Sequence, residues 1–253
     1  MIPIIFGVLV AIIGGYWWTQ VRTKHVSRQT LSLNDTILEK NFAYYRQLTP
    51  DKKQIFNLRV ATFLQEKEFI SRGKLEITEE MKILIAACAV QLTFGLSPVY
   101  LSHFNTIILY PDKYYSLLNR DYHVGEVNAG GIIVLSWKHF VEGYFYPTDA
   151  LNVGLHEMAH ALLLENRQYG EDFLAPEHVQ EFFLQAKVEY RKIQSGEESV
   201  LRKYAGTNVA ELFAVAVETF FENPTEMLSE APLLYNSMAD LLNQDPLHRQ
   251  VAA

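Results

Sequence analysis

Residues 153–163 set two histidines and a glutamate into an otherwise apolar run, Val153-Gly154-Leu155-His156-Glu157-Met158-Ala159-His160-Ala161-Leu162-Leu163, and nothing else in the chain narrows its fold as much. Read as a helix, residues four apart lie one above the other on one face. His156 and His160 then aim two imidazoles at one point, as a tetrahedral zinc site requires. Glu157 is turned by about 100° from His156, close enough to reach a water on the metal without being a ligand. Two neutral histidines, an open metal position and an adjacent carboxylate are the parts of a hydrolase that activates water with a metal. The competing reading is a chance HExxH match on a solvated helix. The flanks Val153, Leu155, Met158, Ala159, Leu162 and Leu163 oppose it, because a buried helix cannot carry two histidines and a glutamate without a compensating partner.

The chain has 253 residues, enough for a substantial core, and a formal charge of −7 with no long basic run, so nucleic acid is not an expected partner. The single cysteine, Cys88, sits in the apolar run Ile83–Val90 and reads as a small core residue. It excludes an intrachain disulfide and is compatible with a reducing compartment.

Residues 1–21 contain no Asp, Glu, Lys or Arg. At about 1.5 Å per residue such a helix spans the roughly 30 Å hydrocarbon core of a bilayer, and Tyr16, Trp17 and Trp18 fall where aromatic side chains favour the interface. A cleaved signal peptide would carry a basic start and a small-residue cleavage site, and neither is present. A buried core helix would have a solvated side, and this segment has none. The expectation is a transmembrane anchor over 1–21 and a linker over 22–47 that leads into a helix. A single domain, 48–253, follows. Arg22, Lys24 and Arg28 directly follow the span, which by the positive-inside rule leaves that domain in the cytoplasm.

Thr49-Pro50-Asp51 is a helix start, and Phe56, Val60, Phe63 and Leu64 recur at helical spacing. Leu75-Glu76-Ile77 alternates as a short strand, and Thr78-Glu79-Glu80 caps a second helix that ends near Gly95. Ile107–Tyr110 is a β-rich run, 112–123 a polar, aromatic loop, and 130–137 the clearest strand. That last strand is either an edge to which a peptide could add or an ordinary core strand. Pro147-Thr148-Asp149 is the expected start of the metal helix, with its end near Asn166. A charged helix covers Glu177 to Ile193. The predicted fold class is α+β, mostly helical with a small sheet, preceded by the membrane helix.

A catalytic zinc needs a third protein ligand. The histidines His25, His103, His123, His139, His178 and His248 have no motif of their own. The apolar helix Thr207–Phe221 carries Glu211 and Glu218 seven apart and so near one face. Asn208 and Glu211 also fit a capping box, which would leave Glu218 as the ligand or as the acceptor that orients a histidine. Spacing leaves these open. Tyr204, seven residues before Glu211, is placed to hydrogen-bond the oxyanion formed when water attacks a carbonyl; packing beside a helix start is its plain alternative. A structural zinc site would be closed by four ligands and rich in cysteine, which this chain is not.

From about Leu48 to Pro246 the chain resembles Mlc titration factor A and its relatives, zinc-dependent peptidases of the gluzincin type. The resemblance rests on Leu48 to Phe69, Leu75–Met81, Ile108–Asp112, Gly131–Trp137, His156–His160, Asn208–Phe221 and Gln244-Asp245-Pro246, all in order. It implies a zincin-like domain holding one Zn²⁺ on His156, His160 and Glu211, with Glu157 as general base and Tyr204 beside the metal. It further implies cleavage of a peptide or protein substrate, aminopeptidase-like on small substrates. A regulatory partner is implied too, since the founding member takes its name from sequestering a transcriptional repressor. The resemblance then implies that an anchored version holds such a partner at the bilayer. The chain departs from the family in its apolar N-terminus and in Ala161-Leu162-Leu163, where a lysine and an aspartate are typical.

Overall fold

The computed structural model describes residues 35–117, 120–145, 150–168 and 173–247. Asn34–Ala253 form one compact unit. The anchor expected over 1–21 lies outside the described residues, and among those described no helix is long and apolar enough to cross a membrane.

The unit starts earlier than the sequence suggests. Within the expected linker, α1 (Asp35–Asn41) and α2 (Ala43–Arg46) are short helices whose Leu38 and Tyr45 are buried, with Phe42 buried between them. Helix α3 (Pro50–Glu66) starts on Pro50 as its residues demand, although the Thr49 side chain makes no capping bond. Strand β1 is Glu68–Ser71, not the predicted 75–77, which is irregular. Its burial runs exposed, half-buried, half-buried, exposed, and so leaves no clear two-residue period to read. Helix α4 (Glu79–Thr93) is capped by Thr78, whose hydroxyl accepts from the Met81 N–H at 3.3 Å.

Strands β2 (Thr106–Tyr110), β5 (Gly125–Asn128) and β6 (Ile132–Ser136) complete a mixed sheet of order β1-β2-β6-β5. Strands β1, β2 and β6 run parallel, and β5 is antiparallel to β6. The predicted loop 112–123 contains a hairpin instead, β3 (Tyr114–Ser116) with β4 (Asp121–His123). The clear strand β6 is interior, and the edge beside it is β5, with β1 at the other side of the sheet. Polar Glu126 and Asn128 suit that edge but hide it from a hydrophobicity reading.

Helix α5 (Trp137–Phe145) follows β6 directly, and α6 (Val153–Gln168) carries the HExxH residues. The expected start at 147–149 lies outside the described residues. Where α6 begins, Asn152 caps it, its Oδ1 accepting from the Leu155 N–H at 3.0 Å. Gly154 lets α6 sit deep, since a Cβ there would stand 2.7 Å from Phe140 Cε2 and 3.0 Å from Cys88 Sγ. Cys88 is fully buried, as its sequence context predicts.

Helix α7 (Pro176–Ser195) and a 3₁₀ turn (Lys203–Gly206) lead to α8 (Val209–Glu222), followed by α9 (Pro224–Glu230) and α10 (Pro232–Leu242). Every residue of α8 from Leu212 to Phe220 is buried, the state expected of a helix apolar on all sides. It packs along α6, which itself lies against β5 and β6, and the candidate site lies where those two helices meet.

Candidate metal centre

Helix α6 delivers His156 and His160 one turn apart, and α8 delivers Glu211 from its first turn. His156 Nε2 lies 3.1 Å from His160 Nε2. Glu211 Oε2 is 2.9 Å from His156 Nε2 and 3.4 Å from His160 Nε2. Among the described residues this is the group of side chains able to hold a metal ion. Asn208 caps α8, its Oδ1 accepting from the N–H groups of Ala210 and Glu211. The Glu211 side chain meanwhile turns to the histidines, so the capping and ligand readings use different atoms.

The donor set fits a metal. Tetrahedral ligands about 2.0–2.1 Å from zinc stand about 3.3 Å apart, close to the separations present. Glu211 Oε2 is buried and has no aligned hydrogen-bond donor despite its two nitrogen neighbours, which is an arrangement of lone pairs around a point and not of paired donors and acceptors. His156 Nδ1 faces Glu218 Oε1 at 2.6 Å, so in the neutral, metal-binding form of the ring the proton stays on that side and Nε2 is the nitrogen left to bind a metal.

Electrostatics of the metal-free cluster follow from the same contacts. Burial works to lower the His156 pKa, but its pairing with Glu211 and Glu218 outweighs this and holds it up to about 10. Burial raises Glu211, and the two histidines overcome it and bring the carboxyl down to about 2. Glu157 is 5% exposed, and burial first, then neighbouring carboxylates, lift its pKa to about 8. Its carboxylate lies against the start of β5: a Cβ on Gly125 would come within 2.4 Å of Glu157 Oε1. Tyr204 stands in the 3₁₀ turn, half-exposed, with its ring 6.0 Å from the His156 ring. Burial and the charges of Glu211 and Glu157 push its phenol up, which keeps it a proton donor at neutral pH.

Two residues of this centre had no place in the sequence reading. Asn152 donates its backbone N–H to Glu218 Oε2 at 2.7 Å and its side-chain amide to Glu222 Oε1 at 2.9 Å, tying the start of α6 to α8. An Asn just ahead of an apolar helix is the signal that could have found it. Arg202 pairs with Glu218 Oε1, and no local pattern marks it. The remaining histidines serve elsewhere. His103 Nε2 lies 2.9 Å from the Ala129 carbonyl and His139 Nδ1 2.7 Å from Ser136 Oγ. His123 is on β4, His178 is exposed on α7, and His25 and His248 fall outside the described residues.

Two histidines on one helix, a carboxylate from a second, a buried glutamate beside them and a mixed sheet above with an open edge describe a metallopeptidase. The comparisons agree. The model of the glucose-regulated metallo-peptidase M90 family matches residues 17–242, and the chain belongs to that family. It is 29% identical over 266 residues to an uncharacterized protein of Synechocystis sp., covering 98% of this chain and 97% of the relative. It is 27% identical over 224 residues to Mlc titration factor A of Edwardsiella ictaluri (80% and 84% covered) and 26% over 205 residues to that of Serratia proteamaculans (74% and 78%).

Proposed function

We propose that this metallopeptidase binds one zinc ion on His156, His160 and Glu211 and hydrolyses peptide bonds with Glu157 as general base. The observation that carries the reading is the convergence of three donor atoms within 3.4 Å of one another, with a buried carboxylate next in sequence to one of them. Bound there, zinc supplies a water acidified towards neutrality and a positive charge beside the scissile carbonyl. Glu157 takes the proton from the attacking water and delivers it to the leaving amine. Its raised pKa suits both halves of that transfer, and the metal's charge draws it down towards the working pH. Tyr204 donates its hydroxyl to the carbonyl oxygen as charge develops there. Glu218 holds the His156 ring by its Nδ1–H.

The free edge of β5 offers backbone groups to an extended peptide, and Gly125 sets that edge directly over Glu157. Aminopeptidase-like cleavage belongs to this reading by resemblance. The test is Glu157→Gln in the purified full chain, beside wild type. Stoichiometric zinc in both with turnover lower by about 10²–10⁴-fold in the variant is expected. Equal turnover would remove Glu157 from the mechanism, and no zinc in either would remove the metal site.

The anchor over 1–21 and the cytoplasmic side for the domain complete the proposal. Membrane fractionation with protease protection tests both, and a freely soluble full-length chain would overturn the anchor. A second reading is favoured by the name of two relatives, Mlc titration factor A. On that reading the chain titrates a regulatory protein, and binding survives both zinc removal and Glu157→Gln. A pulldown that depends on zinc would exclude it.

A further inference from the structure

Glu218 is 1% exposed and carries three interactions at once. Its Oε1 accepts from His156 Nδ1 at 2.6 Å and meets the Arg202 guanidinium, and its Oε2 accepts from the Asn152 N–H at 2.7 Å. A buried carboxylate needs a countercharge. His156 does not supply one while it holds a metal, because a ligating imidazole is neutral. Arg202 supplies it. The guanidinium also lies 3.4 Å from His156 Nδ1 and sits over the Tyr204 ring, 5.3 Å from its centroid. Tyr204 is 48% exposed; its hydroxyl is held by Glu211, and the Arg202 guanidinium lies over its ring. A lysine would carry the charge but not the planar face.

We propose that Arg202 is a positioning residue that sets two parts of the centre with one guanidinium. It fixes the metal-ligating imidazole through Glu218, and it fixes the tyrosine through its ring. The inference rests on the reading that His156 holds zinc and that the centre cleaves peptides, and it adds the element that keeps ligand and phenol in register.

The experiment compares wild type, Arg202→Ala and Arg202→Lys in the full chain, with folding checked by circular dichroism. Zinc affinity is measured by competition with a chelator, and kcat and KM are measured on zinc-saturated protein. Arg202→Ala should bind zinc about 10–100-fold more weakly and, once saturated, should lose kcat with KM little changed. Added guanidinium ion should restore part of both. Arg202→Lys separates the two contacts: zinc affinity returns to within a few-fold of wild type, while kcat stays low. If Arg202→Ala does not fold, the lysine variant alone decides. Wild-type zinc affinity in Arg202→Ala, or wild-type kcat in Arg202→Lys, overturns the inference while leaving the peptidase reading intact. A wild type that binds zinc and cleaves no peptide sinks the peptidase reading instead. The affinity loss in Arg202→Ala would still uphold the link through Glu218.

Discussion

Gly125→Ala tests how closely the edge strand and the proposed general base, Glu157, are fitted. A Cβ at this position would stand 2.4 Å from Glu157 Oε1, 2.6 Å from Cγ and 2.7 Å from Cδ. Ordinary carbon contacts lie at about 3.5 Å or more, so the carboxylate has to retreat by about 1 Å or the strand has to lift. Glu157 is buried between α6 and β5 and has little room to turn. Crowding of this kind costs about 1–3 kcal/mol of stability. A 1 Å displacement of a reacting group costs about 10²-fold in rate, or about 2.7 kcal/mol in the barrier. The three atoms nearest the new methyl all belong to Glu157 and none to the metal cluster. The expected result is therefore full zinc content, a modest fall in Tm and a kcat about 100-fold lower. Metal analysis, thermal melts and steady-state kinetics on one preparation decide it. A fully loaded variant with kcat within twofold of wild type would refute the fit, and loss of zinc would show that the strand moves and not the base.

Other expectations follow from the same contacts. Glu211→Gln should abolish stoichiometric zinc binding, whereas Glu218→Gln should weaken it by about 10–100-fold; chelator titration separates the two, and equal effects would mean the roles are misassigned. In zinc-stripped protein His156 is held up to about 10 from the usual 6.5, so its stabilisation is complete below about 6.5 and is lost as pH rises towards 10. Glu157, raised to about 8 from 4.5, likewise favours folding at low pH and loses that as pH rises through 8. Glu211, brought down to about 2 from 4.5, contributes above 4.5 and loses its share as pH falls to 2. The Tm of stripped protein should therefore be highest near pH 4.5, fall as Glu157's share is lost above it, and fall more steeply from about 6.5 towards pH 9. The gain from added zinc, which competes with protons for the histidines, should widen over that range. A flat or rising Tm for stripped protein between pH 6 and 9 would contradict the shifts.

Much of the fold is legible where local chemistry repeats over a whole element. Helices α3, α4 and α8 announce themselves by a Pro at the first turn, a Thr cap with acidic neighbours, and an apolar run, and each lies where those signals fall. The short strands are not legible for the same reason in reverse. Strand β1 offers four residues with no burial alternation, and β3 and β4 three each, too few to establish a two-residue period. Ala161, Leu162 and Leu163, which follow the HExxH residues, are buried core. The carboxylate that meets His156 Nδ1 comes from α8, a long-range contact that spacing within α6 cannot reveal.

Seven residues separate Glu211 from Glu218, two turns on one buried helix and about 10 Å along its axis. Read along the chain, either could be the third ligand, and Glu218 could also be the acceptor that orients a histidine. The geometry gives them opposite ends of the same imidazole: Glu211 Oε2 is 2.9 Å from Nε2 of His156, and Glu218 Oε1 is 2.6 Å from Nδ1. A carboxylate on Nδ1 keeps the proton there and frees Nε2 for a metal, so the two acids are complementary and not alternatives. Holding both against one ring requires that α8 pack closely along α6, as the two helices do. The apolar character of both helices and the acidity set within them thus serve one end. Close packing fixes the distance between the helices to a fraction of an ångström, and that distance decides whether three donor atoms meet at a point.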